Sequence, residues 1–378
     1  MKKKISFAFL AVLALLTLLN VTKNASYAPL PWMKEQIKED MNFYSAEDLS
    51  SKKLRDYFEQ ASPYELLVYY QIKGNKLYWK RNWNSKDGLD RVRKTTRMLD
   101  RMTKTRKLPD VEFILTVHDG FTPSNPASRD MPIFCYAKTE REPGVLFPDP
   151  LSEGFSRHSR KSIARANKRQ KYAWRNKKDI AFWRGGTTGG KFEMDNWYNY
   201  PRSKLSLVSK YYPDLVDSGF TTYPGVSQDV QREMQNNLPN VSWTVHKDHL
   251  NYKYLVVPDG NTCTYPRYYL GLFSNSVVFK QKSDQVQWYY RALVPFEHYV
   301  PIDHDFSNLP ETVSWAKKND LKMKMISREA TEFVNQNLLP KHIYTYVETL
   351  LGEYAQKQHE SSSLYEGMQL FSSLKEKD

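Results

Sequence analysis

The stretch DIAFWRGGTTGG, residues 179–190, leads from a short apolar run into four glycines and two threonines. The apolar run is too short for a helix and rich in β-formers, so it reads as a strand. Arg184 stands at its exit, followed by Gly185, Gly186, Thr187, Thr188, Gly189 and Gly190. GGTTGGK nearly spells a P-loop: Gly185, Gly190 and Lys191 fit, but Phe192 occupies the place of the hydroxyl that would meet magnesium. An NTPase is therefore disfavoured. What survives is more general: glycines let main-chain N–H groups approach an anion, Thr187 and Thr188 add donors, and Arg184 adds a planar fork suited to phosphate. The loop is expected to cradle phosphates; the alternative is a loop built for tight turning alone.

Outward from this loop, the second half alternates strand, loop and helix. A helix is expected near 201–211, and a strand at 250–257 that runs into Pro258-Asp259-Gly260-Asn261. Next come a helix at 267–273 opening on Arg267, strands at 277–280 and 298–302, a helical turn at 288–293, and two or three helices over 307–356. That alternation indicates an open α/β sheet. An arginine at a helix start reinforces the anion preference of the helix terminus, so Arg184 and Arg267 on two strand-exit loops could flank a diphosphate.

The first half is less regular. Helical pieces over 29–62 precede a hairpin over 63–83 turning at Gly74-Asn75, and an amphipathic helix is expected at 89–106. VEFILTV, 111–117, is β-branched, apolar and short, and reads as a buried strand. His118-Asp119-Gly120 follows its carboxyl end, where ligands of α/β folds sit. Asp119 there could take a proton from an attacking hydroxyl; the competing reading is an Asx turn supported by Gly120, and His118 is the next candidate base. Residues 120–156 read as long loops.

The chain has 378 residues, 40% hydrophobic and 14% aromatic, enough for two domains with real cores. With 56 Lys and Arg against 42 Asp and Glu, the formal charge is +14. Residues 157–178 alone hold ten basic and no acidic side chains. Such a cluster suits an anionic partner or forms a solvated face or connector, and no nucleic-acid module accompanies it. Two cysteines, Cys135 and Cys263, exclude a disulfide scaffold. Asp303-His304-Asp305 and His246-x-x-His249 are weak metal patterns without a third ligand. Lys2, Lys3 and Lys4 precede a mainly apolar run over 5–19, intermediate between a secretory core and a membrane span, so residues 1–28 read as a signal anchor or a signal peptide. Lysines before that run place the rest of the chain on the far side of the membrane.

The second half resembles glycosyltransferase family 90, the Rumi and capsule-associated xylosyltransferase family. The resemblance is carried, in order, by FWRGGTTGG (182–190), PRSKLSLVS (201–209), YKYLVVPDGNT (252–262) and PRYYLGLFSNSVVFKQ (266–281). QWYYRALVPFEHYVPI (287–302) and LLGEY (350–354) complete it, and TVHDGF (116–121) anchors the first half. It implies an α/β protein of GT-B type: two Rossmann-like domains facing a cleft, with closing C-terminal helices and an N-terminal hydrophobic segment. On that plan residues 29–178 form an acceptor-side domain, 179–356 a UDP-sugar-binding domain, and 357–378 a polar tail. It further implies a UDP-sugar donor, inversion at the anomeric carbon and no metal or other cofactor.

The residues matching the family's donor-diphosphate site are Arg184, Gly185, Gly186, Thr187, Thr188 and Arg267, joined by Arg202 and Asp259 inside two of the motifs. Asp119 matches the family's catalytic base. Relatives carry Arg-Asp before Tyr-Pro, whereas this chain has His-Asp before Gly-Phe. The implied reaction moves glucose or xylose to a hydroxyl of a protein, glycan or lipid-linked glycan, with no nucleic-acid partner. A protein of this fold that binds carbohydrate or anion without chemistry is the alternative. An exported UDP-sugar enzyme fits the ER or Golgi lumen; in a bacterium an envelope-glycan enzyme facing the cytosol fits instead. Asn240-Val241-Ser242 is then a possible glycosylation site.

Overall fold

The computed structural model describes residues 27–121, 126–358 and 363–371; the apolar N-terminal run lies outside them. Among the described residues no helix is long and apolar enough to cross a membrane.

The chain enters through helices α1 (Pro31–Met41) and α2 (Ser51–Gln60). Strands β1 (Leu67–Lys73) and β2 (Lys76–Arg81) form the expected hairpin. Gly74 and Asn75 both take positive φ, 54° and 59°, the backbone that suits a two-residue turn. Helix α3 (Leu89–Thr105) buries Val92, Met98, Leu99 and Met102 on one face. Its end is held by the Asn75 amide, which donates to the carbonyls of Thr103 and Arg106. Strand β3 (Val111–Thr116) is buried throughout. Its interior Glu112 is compensated by Arg55 at 2.8 Å and the Tyr69 hydroxyl at 2.7 Å.

Residues 120–156 are not all loop. They contribute β4 (Ile133–Cys135), β5 (Lys138–Thr139) and β6 (Val145–Leu146). Pieces of two or three residues leave no periodicity to read. In the first sheet β2, β1 and β3 are antiparallel neighbours, whereas β3, β4 and β6 run parallel. The sheet is therefore mixed: β1 runs antiparallel between β2 and β3, and α3 carries the chain from β2 over to β3.

The basic segment then passes through α4 (Arg160–Asn167) into β7 (Lys178–Gly186). There follow α5 (Pro201–Tyr211), β8 (Val216–Thr222), α6 (Gln228–Asn237), β9 (Tyr252–Val257), α7 (Tyr265–Leu272) and β10 (Val277–Gln281). Beyond these lie β11 (Gln285–Val286) and β12 (Val300–Ile302). The expected helix at 288–293 is one 3-10 turn, Tyr290–Ala292. β8, rich in Ser, Gly and Thr, and α6 were not legible in the sequence.

The second sheet is all parallel in the order β12-β10-β9-β7-β8. Numbered by appearance in the chain this is 2-1-3-4-5 reversed, a doubly wound order whose connections change direction between β7 and β9. The crevice beyond the carboxyl ends of those two strands is where such sheets bind ligands. Residues 187–190 and 258–264 leave from those ends.

The halves are not independent. Ribbon β5/β11 pairs a strand from each. The first sheet's core continues through Tyr268, Tyr269 and Leu272 of α7. Helices α8 (Leu309–Lys318), α9 (Asp320–Asn337) and α10 (Pro340–Lys357) close the chain. Met323 and Ile326 of α9 pack in the second core, whereas Ala330, Phe333 and Val334 of the same helix pack in the first. α10 lies wholly in the first core, where Tyr346 meets Trp288 at 4.9 Å between ring centres. The division expected at 179–356 thus gives way at its end, because the last helix returns to the first sheet. Within the expected tail, β13 (Gln369–Leu370) pairs with the edge of β2.

Candidate active site

The glycine loop and the 258–264 loop pack on one another. Gly189 has φ 98°, and a Cβ there would sit 2.8 Å from the Gly260 carbonyl. A Cβ on Gly190 would lie 1.9 Å from the Tyr200 ring. Gly185 lies beneath the Trp183 ring and Gly186 against the Thr222 hydroxyl. The loop's central amides have protein partners: Thr187 N–H donates to Thr222 O (3.2 Å), Thr188 N–H to Gly186 O (3.0 Å) and Gly189 N–H to Asn261 Oδ1 (3.0 Å). Against the expectation of a loop that offers amides to phosphate, these three amides are bonded within the protein. The glycines serve close approach between two loops.

Arg202, on the first turn of α5, lies under both loops. Its Nε donates to the Asp259 carbonyl and its Nη1 to the Gly186 carbonyl, each at 2.9 Å. Arg267, on the first turn of α7, donates to the Arg184 main-chain carbonyl. The two guanidinium carbons lie 5.7 and 6.0 Å from the centre of the Trp183 ring. Neither arginine forms an ion pair with a carboxylate among the described residues. Burial lowers Arg202 to about 9, with Arg267 adding to the shift and Asp259 opposing it. Burial lowers Arg267 to about 10. Two crowded like charges whose hydrogen bonds run only to carbonyls leave a site short of negative charge.

Arg184 is different. It emerges on the opposite face of β7 from Trp183, over the Phe182 ring at 4.6 Å. Its Nη2 pairs with Asp217 at 2.5 Å, and its Nη1 donates to the carbonyls of Trp183 and Asp217 at 2.9 Å. The Tyr252 hydroxyl donates to the other Asp217 oxygen at 3.0 Å. Arg184, expected to contact the diphosphate, thus has an internal ion pair with Asp217. Thr187 is also turned inward, its hydroxyl donating to Pro224 O at 3.0 Å, whereas Thr188 lies beside Gly260. Asp259 pairs with buried Lys280 at 2.7 Å and accepts from Ser283, so it anchors its loop rather than facing the crevice. His249, between Phe182 and the two arginines, is pushed down to about 3, chiefly by burial and then by Arg267, His246 and Arg184.

Asp119 reaches the same place from the first sheet. One carboxylate oxygen pairs with Arg91 of α3, which also donates to Val117 O at 2.7 Å. The other accepts from Asn261 Nδ2 at 2.8 Å, and the Asp119 carbonyl accepts from the Thr262 hydroxyl at 2.8 Å. The carboxylate keeps 34% of its exposure, enough to meet a substrate. His118 instead meets the Tyr64 carbonyl through Nε2 at 2.6 Å. Sequence reasoning missed Arg91 and Asn261; the PDGN turn pointed to the second, but nothing marked Arg91 among the polar residues of its helix.

These features define an α/β protein with a cationic crevice at its topological switch point and a carboxylate opposed to it. The chain matches Glycosyl transferase family 90 over residues 28–374 and belongs to that family. Protein O-glucosyltransferase 3 of Homo sapiens is 33% identical over 198 residues, covering 52% of this chain and 36% of that protein. Protein O-glucosyltransferase 2 of Danio rerio is 25% identical over 341 residues, 89% of this chain and 64% of that one. Protein O-glucosyltransferase 1 of Homo sapiens is 26% identical over 265 residues, 66% and 63% respectively. The chain therefore spans about a third of the first relative and under two-thirds of the others.

Proposed function

We propose that this chain is an inverting glycosyltransferase of GT-B plan that moves a sugar from a UDP-sugar to an acceptor hydroxyl. The observation that carries the reading is the pair Arg202 and Arg267, crowded, mutually repelling and without an ion-paired carboxylate among the described residues, at the switch point of a doubly wound sheet. A diphosphate supplies the missing charge. As the bond from the anomeric carbon to the diphosphate oxygen breaks, negative charge grows on that oxygen, and the two guanidiniums and the Thr188 hydroxyl meet it. No metal takes part in this scheme. The acceptor oxygen attacks the opposite face of the anomeric carbon while its proton passes to the Asp119 carboxylate. The likeness to protein O-glucosyltransferases favours glucose over xylose and a protein hydroxyl as acceptor. Export behind a signal anchor or signal peptide, into the ER or Golgi lumen, suits such a reaction.

The test is release of UDP from UDP-glucose and UDP-xylose, with EDTA present. Turnover of either is expected, and none from both sugars with UDP still bound would favour a binding protein. Asp119→Ala should abolish turnover while UDP affinity stays within about threefold, since the carboxylate is not a phosphate contact. Retained turnover would remove Asp119 as the base.

A further inference from the structure

We propose that Asn261 is a positioning residue that ties the base to the donor loop, an inference that rests on Asp119 being the base. One side-chain amide spans the two halves: its oxygen accepts from Gly189 N–H at 3.0 Å and its nitrogen donates to Asp119 at 2.8 Å. The amide orientation follows from its partners. A main-chain N–H can only donate, so the oxygen must face Gly189, and the NH2 group is left for the carboxylate. That contact is made with the ionised acid, the form that takes a proton. Gly189 belongs to the loop clamped by Arg202, so the carboxylate is registered against the crevice itself.

The groups around the carboxylate support this. Arg91 of α3 holds the other oxygen, and Thr262 holds the main chain beneath it. His118 is turned to Tyr64, and half-buried Tyr265 at the start of α7 points its hydroxyl towards Thr262 at 3.2 Å. Among the described residues, Asn261 is thus the side chain that hydrogen-bonds both the glycine loop and the carboxylate. It is solvent-exposed, at the mouth of the crevice, so its effect is on orientation and protonation rather than on stability.

Asn261→Asp isolates the idea, because it preserves shape and the acceptor for Gly189 N–H while turning the group facing Asp119 from donor to anion. Two carboxylates then share a site, which favours a protonated base. The acid limb of the kcat/KM profile for UDP-glucose release should move up by about one pH unit, so that activity falls up to about tenfold on the acid side of the limb and little above it, with UDP affinity within about threefold. Asn261→Ser, too short to span both partners, should lower kcat about tenfold, leave KM for the donor nearly unchanged and move the limb up by less than Asn261→Asp does, since it removes a donor without adding an anion. A wild-type profile in Asn261→Asp with Asp119→Ala inactive would overturn the positioning role and leave the base intact. Activity in Asp119→Ala would instead remove the base itself. If Asn261→Asp loses UDP binding altogether, Asn261→Ser decides: unchanged kcat overturns the proposal.

Discussion

Arg184 and Arg267 touch, one donating to the main chain of the other, yet their surroundings are opposite. Arg184 has a carboxylate, two carbonyls and an aromatic ring within its own sheet. Arg267 has a carbonyl, a like-charged neighbour and burial. A guanidinium already matched by Asp217 has little to gain from a phosphate, whereas an unmatched one has much. The lesson is that a motif arginine announces charge, and only its partners say whether that charge is spare.

Replacing members of the pair should separate these roles. Arg267→Glu is expected to cost UDP affinity 100-fold or about that, by removing a crowded charge-assisted contact and inserting repulsion, as calorimetry would report. Equal loss in Arg184→Ala would break the distinction. Arg184→Ala should instead leave UDP affinity within about threefold and lower the melting temperature by about 2–4 °C, because Asp217 keeps only the Tyr252 hydroxyl in a partly exposed setting.

The smallest expected effect concerns His249, which sits near both arginines. Its folded-state value, about 3, lies below the ordinary 6.5, so the folded protein resists protonating it while the unfolded chain does not. Its contribution is fully present above about pH 6.5 and is lost as pH falls towards 3. Thermal melts from pH 7 to 4 should therefore fall less steeply in His249→Phe than in wild type. An identical slope would show that the folded protein protonates this ring as readily as the unfolded chain does.

Much of the second half was legible because its strands are short apolar runs ended by Pro, Gly and Asn, and its helices open on proline. Pro201 and Pro266 both stand on the first turn of a helix that carries an arginine next to them. β8 escaped because Val216–Thr222 contains Ser218 and Gly219, which pack against α5 and Val241 rather than advertise a core. The glycine loop was legible, but its packing against the 258–264 loop was not. Four glycines signal close approach of a backbone, but a sequence cannot say whether the approaching group is a phosphate or a second loop. Asp119 was reached through the buried strand before it, whereas Arg91 and Asn261 depend on contacts between distant segments. The site's composition was thus partly local and its electrostatic balance entirely tertiary.

Helix α7 carries Arg267 at one end while its tyrosines and leucines complete the apolar interior of the opposite sheet. Lobes joined through so large a greasy contact do not rock apart easily, unlike those that meet across a wet polar seam. Substrate admission and product escape should then fall to the loops around the mouth, so turnover would be governed by short segments rather than by wholesale gaping of the molecule.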